Sequence, residues 1–230
     1  IDAWMLNPES TTLAPKYDPA DFKNDTDWIS AITRLAHSKT ANISISGKSN
    51  NTTYFVSGGY NDTQGIVKGS GFSRITGRFN LTHEFNKWIS VALKSNYTYA
   101  LEHPNKANIG GTNTYTGAVY LAPYIGEYDE VNPLYENGTK INTPSVAISQ
   151  IEYSKIRSNS SVSGEIILKP VKSLLISSQN TYTPMNVNSY KYSPSTLPAR
   201  YDGQGGLAER TIYQSFQLMS ENTATYSKRI

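Results

Sequence analysis

The stretch from residue 72 to residue 100 constrains the fold most strongly, because apolar and polar side chains alternate along two long halves of it. Successive side chains of a β-strand point to opposite faces, so each half is predicted to be a strand with one apolar and one polar face. Residues 84–87 connect the halves and are too few for anything but an antiparallel hairpin. The alternation therefore predicts a two-faced hairpin.

The length of this hairpin favours a membrane barrel. Each half has roughly 12 residues, whereas strands of soluble proteins most often have about 5–6. Trp88 opens the second half, and Tyr97 and Tyr99 close it. At about 3.3 Å per residue and a tilt of ~45°, this span covers roughly 25 Å, which is the height of the apolar band between the aromatic girdles of an outer-membrane barrel. A β-sandwich hairpin with one solvent-exposed face fits the alternation equally well.

In the barrel interpretation, the two alternating sets of side chains face different surroundings. We expect one set to face lipid, namely Phe79, Leu81, Ile89, Val91 and Leu93. The opposite set is expected to face the lumen, namely Arg78, Asn80, Lys94 and Asn96. The aromatic girdle is predicted to include Trp88, Tyr97 and Tyr99.

The composition agrees with a sheet that has no protein core. Hydrophobic residues make up 37% of the 230 residues, against about 45–50% in ordinary globular domains by a slightly different grouping. Disorder is opposed by the 17 tyrosines. The net charge of +3 is dispersed, so no nucleic-acid surface is predicted, and the absence of cysteine excludes disulfides and thiol catalysis.

The rest of the chain predicts further strands and three short helices. The strands are expected at residues 39–47, 52–61, 158–168, 174–182 and 211–226, which gives seven with the hairpin. A helix is predicted over residues 26–37, a weak one over 112–122, and one over 145–151 behind the cap Thr143 and Pro144. Two long segments, residues 101–157 and 183–210, are predicted to be irregular connections.

The lengths of the connections separate the two interpretations. They alternate between shorter and longer along the chain, so all the short ones fall at one end of an antiparallel sheet and all the long ones at the other. Transmembrane barrels have this asymmetry, with short periplasmic turns and longer extracellular loops. The predicted fold is therefore all-β: consecutive antiparallel strands of a transmembrane β-barrel. The alternative is a soluble β-sandwich adhesin or carbohydrate-binding module.

No motif for catalysis or for a cofactor is found. The three histidines, His37, His83 and His103, lie far apart and have no metal-ligand spacing. The acidic residues near the start of the chain match no EF-hand pattern, although a calcium loop there stays open. Glu127 and its acidic neighbours are more simply solvated loop carboxylates than a catalytic cluster. The sequence thus predicts a protein that is not an enzyme and holds no cofactor.

Aromatic and polar side chains are concentrated in the long segment 101–157. Aromatic faces beside amides and carboxylates suit sugar rings or peptides, which need stacking and hydrogen bonds. The alternative is that these side chains only pack the loop onto its own barrel. The candidate substrate-binding residues are Asn113, Tyr115, Tyr120, Tyr124, Glu127, Tyr128, Asp129 and Tyr135.

Several strings of the sequence, taken in order, carry a resemblance to a known family. They are NDTDW at residues 24–28, NISISG at 42–47, YFVSGGY at 54–60, QGIVKG at 64–69, RFNL at 78–81 and ENTATY at 221–226. The chain resembles the SusC/RagA family of TonB-dependent outer-membrane transporters along nearly its whole length. Members of this family are far longer, so the chain is expected to be one piece of such a barrel domain.

The resemblance implies a 22-stranded barrel with an internal plug, located in the bacterial outer membrane. It also implies import of glycans or peptides, energy from TonB, and a SusD-like surface lipoprotein as partner. The plug and the TonB box are expected to lie outside residues 1–230. Nothing in these residues separates a glycan importer from a peptide importer.

Overall fold

The structure is a computed structural model that describes residues 23–105, 118–119, 121–128, 143–195 and 206–227. These residues divide into two compact units. The sheet unit contains described residues 35–105, 152–192 and 208–227. The loop unit contains described residues 23–34, 118–119, 121–128, 143–151, 193–195 and 206–207.

Seven strands form one antiparallel sheet in which each strand pairs with its neighbours in the chain, in the order β1 to β7. This up-and-down topology confirms the predicted all-β fold. The strands are β1 (Ser38–Ser49), β2 (Thr52–Gln64), β3 (Gly71–Glu84), β4 (Ile89–His103), β5 (Glu152–Val171), β6 (Leu174–Ser193) and β7 (Leu207–Tyr226).

The register sorts side chains into two faces, because residues that pair directly across antiparallel strands lie on the same side of the sheet. One row of cross-strand partners consists of Ile45, Val56, Phe79, Ser95, Val162 and Tyr182 and belongs to what we name the apolar face. The neighbouring row points the other way and belongs to what we name the polar face. It consists of Ser44, Ser57, Arg78, Asn96 and Ser161.

The apolar face is not covered by a second layer among the described residues. Ile43 is 78% exposed, Ile75 52% and Leu93 40%, although aliphatic side chains in the middle of a soluble sheet are normally buried. A β-sandwich would bury this face against a second sheet. The described strands form a single sheet, which favours the barrel interpretation over the sandwich alternative.

Three strands extend at least four residues beyond their predicted bounds at one end. β5 starts at Glu152 rather than at residue 158, β6 continues to Ser193 rather than ending at 182, and β7 starts at Leu207 rather than at 211. Much of residues 183–210 is therefore strand, and the predicted irregular connection there is wrong. The apolar alternation stops near Tyr182, but backbone pairing with β5 goes on to Glu152 and Tyr192. It continues beyond Pro184, a residue that has no N–H to donate to the ladder.

The two described helices are short and belong to the loop unit. Helix α1 covers Trp28–Ile32 and is shorter than the predicted 26–37, because Thr33 is extended and its backbone N–H and hydroxyl both bond to the Ile29 carbonyl. Helix α2 covers Pro144–Gln150 with Thr143 as N-cap, as predicted. The predicted helix over residues 112–122 lies largely outside the described residues; residues 118 and 119 are helical.

The connections follow the predicted alternation of length. Residues 50–51, 85–88 and 172–173 form tight turns at one end of the sheet, which we name the turn end. Residues 65–70, 104–151 and 194–206 connect the strands at the other end. Trp88 lies in a turn rather than opening β4, because its backbone N–H bonds to the Asn86 side chain (2.8 Å). Within the described part of the chain, no helix has the length and apolar character needed to cross a membrane.

Two glycines at neighbouring positions of the sheet offer a test of the strand register. A Cβ atom at Gly59 would lie 2.6 Å from Thr76 Oγ1 and 2.7 Å from Asn42 Oδ1, whereas a Cβ atom at Gly77 would meet nothing within 4 Å. We expect Gly59→Ala to lower the free energy of unfolding by about 1 kcal/mol or more, because overpacking typically costs about 1–3 kcal/mol. Gly77→Ala should be neutral or stabilising. Denaturant titration of the intact protein measures both, and equal effects would contradict the register.

Candidate functional site: the polar face and the loop unit

The polar face carries charged side chains that pair diagonally between neighbouring strands. Lys94 Nζ lies 2.9 Å from Glu165 Oε2, and Arg157 Nη2 lies 3.5 Å from Glu102 Oε2. Both pairs join β4 to β5. Since their side chains are partly exposed, they contribute little to stability. Their main effect is to hold charges of both signs in fixed positions on this face.

Hydroxyl and amide groups on the same face hydrogen-bond across other pairs of strands. Thr181 Oγ1 donates to Ser163 Oγ (3.0 Å), and the hydroxyls of Ser177 and Thr223 lie 2.7 Å apart. Near the other edge of the sheet the Asn61 amide donates to Thr40 Oγ1 (2.9 Å). The polar face is thus a continuous set of short donors and acceptors, which suits contact with water and with polar solutes.

Small side chains on the polar face are covered by longer neighbours. Ala92, Ala100 and Ser163 are 3%, 7% and 6% exposed, and all three belong to this face by register. On the apolar face, by contrast, large side chains such as Leu93 stay exposed. Side chains therefore crowd together more tightly on the polar face than on the apolar one.

Two arginines of β3 stand in the same face without an ion pair. Within the described residues, Arg74 and Arg78 have no carboxylate in salt-bridge distance. The described residues also contain no group of histidine, cysteine or carboxylate side chains that could hold a metal. The arrangement presents fixed charges and hydrogen-bonding groups, which is a surface for binding or passage.

The two predicted sets of barrel residues separate onto the two faces. Phe79, Leu81, Ile89, Val91 and Leu93 share the apolar face, while Arg78, Asn80, Lys94 and Asn96 share the polar face. It stays a prediction that the apolar face contacts lipid and that the polar face lines the lumen.

The predicted girdle residues occupy different parts of the apolar side. Tyr97 and Tyr99 lie on the apolar face within β4, and Tyr99 shares a row with Tyr60 through Ile75. Trp88 lies at the turn end, where Phe85 packs edge-on against His83 with ring centroids 4.6 Å apart. The structure thus places aromatic rings at the turn end and others well along β4, and their role as a girdle stays a prediction.

The NDTDW string has a structural role that the sequence pattern did not reveal. Asn24 Nδ2 donates to the Tyr124 carbonyl (3.2 Å), Thr26 Oγ1 to the Ile125 carbonyl (2.7 Å), and Trp28 Nε1 to the Ala122 carbonyl (3.1 Å). Trp28 is 4% exposed. This string therefore fixes the backbone of residues 122–125, which are about a hundred positions away in the chain.

The candidate substrate residues divide between described and undescribed positions. Tyr124, Glu127 and Tyr128 are described, whereas Asn113, Tyr115, Tyr120, Asp129 and Tyr135 lie outside the described residues. Glu127 is engaged at the start of α2: its carboxylate accepts from the Ser145 hydroxyl (2.8 Å), and its carbonyl accepts from the Thr143 hydroxyl. Tyr128 is 66% exposed and free to meet a solute.

The sheet and its two faces define a class of protein: membrane β-barrels whose strands cross the bilayer. The structure is similar to the solved RagAB peptide importer in its "closed-closed" state, with a TM-score of 0.72 and 24% identity over 91% of this chain and 24% of that chain. A likeness at this identity establishes the fold. No protein-family model matches the sequence.

Curated relatives name the family. The chain is 26% identical to TonB-dependent receptor P26 of Formosa agariphila over 216 residues, which is 93% of this chain and 21% of that protein. It is 46% identical to TonB-dependent receptor SusC of Bacteroides thetaiotaomicron over 122 residues, which is 52% of this chain and 11% of SusC. These matches confirm the resemblance to the SusC/RagA family at the level of a barrel segment, and with it the outer-membrane location.

One substitution on each face tests the prediction that the apolar face contacts lipid and the polar face lines the lumen. In the full-length protein, Leu93→Arg should reduce assembly into the outer membrane, because an arginine on the lipid face near the bilayer midplane costs about 2–4 kcal/mol. Asn96→Arg is the matched control on the same strand and the opposite face, and it should assemble normally. The heat-modifiable fraction in outer-membrane preparations measures assembly. Equal assembly of the two variants would contradict the orientation.

The N-cap of α1 gives a pH-dependent test of the loop unit. The Ser30 hydroxyl (2.6 Å) and then the Ser30 backbone N–H (3.1 Å) donate to the Asp27 carboxylate and hold its pKa below the ordinary value of 3.8. A carboxylate whose pKa is lower in the folded state stabilises that state above the unfolded pKa and loses this effect as pH falls through the folded pKa.

Asp27→Ala should therefore speed amide exchange in residues 28–32 at neutral pH, and its difference from the parent should vanish at a pH below the folded pKa of Asp27. Hydrogen exchange followed by mass spectrometry at matched pH values measures this. Asp25→Ala removes a neighbouring exposed carboxylate and is the control. A difference between parent and Asp27→Ala that persisted at low pH would rule out the carboxylate as its source.

Proposed function

We propose that this chain supplies seven consecutive strands of the 22-stranded barrel domain of an outer-membrane importer. The importer would act as the SusC-like transporter of a SusCD-type complex and would be energised by TonB. Its cargo would be a large nutrient, either a glycan or an oligopeptide. In this proposal the protein transports its substrate and does not transform it. The match spans only part of the length of the curated relatives, 21% of P26 and 11% of SusC.

The observation that carries the proposal is the single sheet with two unlike faces. The apolar face leaves Ile43, Ile75 and Leu93 uncovered, while the polar face presents paired charges and hydroxyls. Lipid on one side and a water-filled lumen on the other satisfy both faces at once. No other arrangement of a single sheet satisfies them without adding a second protein layer.

The long connection between β4 and β5 is the proposed substrate region. It includes Tyr128, whose exposed ring suits stacking on a sugar or a peptide side chain. Segment 24–28 holds nearby backbone in a defined conformation through three side-chain hydrogen bonds. A fixed loop conformation is useful for binding because less entropy is lost when the substrate is captured.

Two partners follow from the proposal. The likeness to the RagAB peptide importer and to SusC supports a surface lipoprotein of the SusD type as a partner of this protein. The relatives named TonB-dependent receptors support coupling to TonB. The candidate loop residues would then line the substrate mouth or contact the lipoprotein.

Uptake by cells tests the proposal. A strain that lacks the full-length gene, and the same strain complemented, would be supplied with labelled oligopeptides and oligosaccharides. Uptake of one class should require both the protein and TonB, and this identifies the cargo. Uptake that is unchanged in the absence of TonB, or of the protein itself, would overturn the proposal.

A single substitution tests the loop. Tyr128→Ala should raise the substrate concentration for half-maximal uptake roughly two- to tenfold, since an aromatic stack contributes about 0.5–1.5 kcal/mol. Ile66→Ala changes another exposed side chain, in the connection between β2 and β3, and should leave uptake unchanged. Equal amounts of both variants in the outer membrane, measured by immunoblot, are the condition for comparing them.

A further inference from the structure

We propose that the turn end of the apolar face binds an anionic phospholipid, with the acyl chain in an apolar crevice and the headgroup phosphate on the lysines around it. The crevice has a volume of about 320 Å³ and is lined by Trp88, Ile89, Leu168 and Pro170. This inference depends on the lipid orientation proposed above and concerns a site separate from the substrate path.

The crevice is formed by the β3–β4 turn and by the pairing of β4 with β5. Ile89 pairs directly with Leu168, so their side chains lie together on the apolar face. The Lys169 backbone N–H donates to the Trp88 carbonyl (2.7 Å) and holds the turn against β5. Trp88 is 57% exposed, so its ring forms one wall and leaves the crevice open to whatever covers this face.

Cations lie at the same end of the sheet as this apolar site. Lys87 Nζ lies 5.7 Å from the centroid of the Trp88 ring. Lys169 and Lys172 follow Leu168 within four residues, and all three lysines are exposed. Within the described residues none of the three makes a salt bridge. An apolar crevice at a sheet end that carries unpaired ammonium groups is complementary to a lipid that has a hydrocarbon chain and a negatively charged headgroup.

The charge balance of the whole turn end agrees with this choice of ligand. Lys48, Lys87, Lys169 and Lys172 stand against Glu84 alone among residues 48–52, 84–88 and 169–173. In the proposed orientation these turns reach the periplasmic leaflet, which consists of phospholipids. Lysines near a bilayer surface place their ammonium groups at the level of the lipid headgroups. Each lysine favours binding of an anionic lipid by about 1 kcal/mol, which corresponds to a roughly fivefold higher affinity.

Lipid quenching of tryptophan fluorescence tests the site. The full-length protein would be reconstituted into vesicles of phosphatidylglycerol and phosphatidylcholine in which only one of the two lipids has brominated acyl chains. The contribution of Trp88 is obtained by subtracting the signal of Trp88→Phe. Brominated phosphatidylglycerol should quench Trp88 more strongly than brominated phosphatidylcholine at the same mole fraction.

Removal of the lysines should abolish this preference. The triple variant Lys87→Gln, Lys169→Gln, Lys172→Gln should lose it, and Lys172→Gln alone should weaken it roughly fivefold. Lys48→Gln has the same charge change at the same end of the sheet, away from the crevice, and is the matched control. The single variant keeps the test decisive if the triple variant fails to assemble.

Three results would overturn the proposal. These are equal quenching by the two lipids in the parent protein, an unchanged preference in the lysine variants, and loss of the preference when inorganic phosphate is added, which would identify a site for free anions. If neither brominated lipid quenches Trp88, the crevice does not face the bilayer, and the orientation in the proposed function fails as well. Equal quenching by both lipids removes only the lipid-specific site.

Discussion

The backbone ladder between neighbouring antiparallel strands is the interaction on which the rest of this structure depends. Strands β2 to β6 satisfy their N–H and C=O groups on the strands that precede and follow them in the chain, and β1 and β7 pair on one side within the described residues. No second layer is needed to satisfy the backbone, so one face is free to be apolar along the whole sheet. This is the condition under which strands can cross hydrocarbon, where unpaired backbone groups are too costly.

The ladder also decides which side chains become neighbours. Lys94 reaches Glu165 and Arg157 reaches Glu102 only because β4 and β5 pair in one register. A shift of one residue would move every charge on the polar face to the apolar side. The charged pairs and hydroxyl contacts therefore indicate which register the strands adopt, even though each contact adds little to the free energy of folding.

The loop unit is held together in a different way. It has side-chain-to-backbone hydrogen bonds from the NDTDW string and the buried apolar side chains of Trp28, Ile32 and Ile125. Glu127, which resembles a solvent-facing carboxylate in the sequence, is used to hold the start of α2. Of the described candidate residues in this unit, Tyr128 is the one whose side chain is exposed.

The sequence by itself determined the hairpin of β3 and β4, the two unlike faces, the sorting of connection lengths and the cap of α2. Each of these is a local property, because a period of two, a Thr-Pro cap and a short polar turn are visible within a few residues. The tertiary structure decided where β5 and β7 begin and where β6 ends, since backbone pairing between β5 and β6 extends past Tyr182, near which the apolar alternation stops. It also decided that Trp28 binds the Ala122 carbonyl and that Trp88 lies in a turn beside Leu168. Such contacts join residues dozens of positions apart, and alternation along a strand carries no information about them.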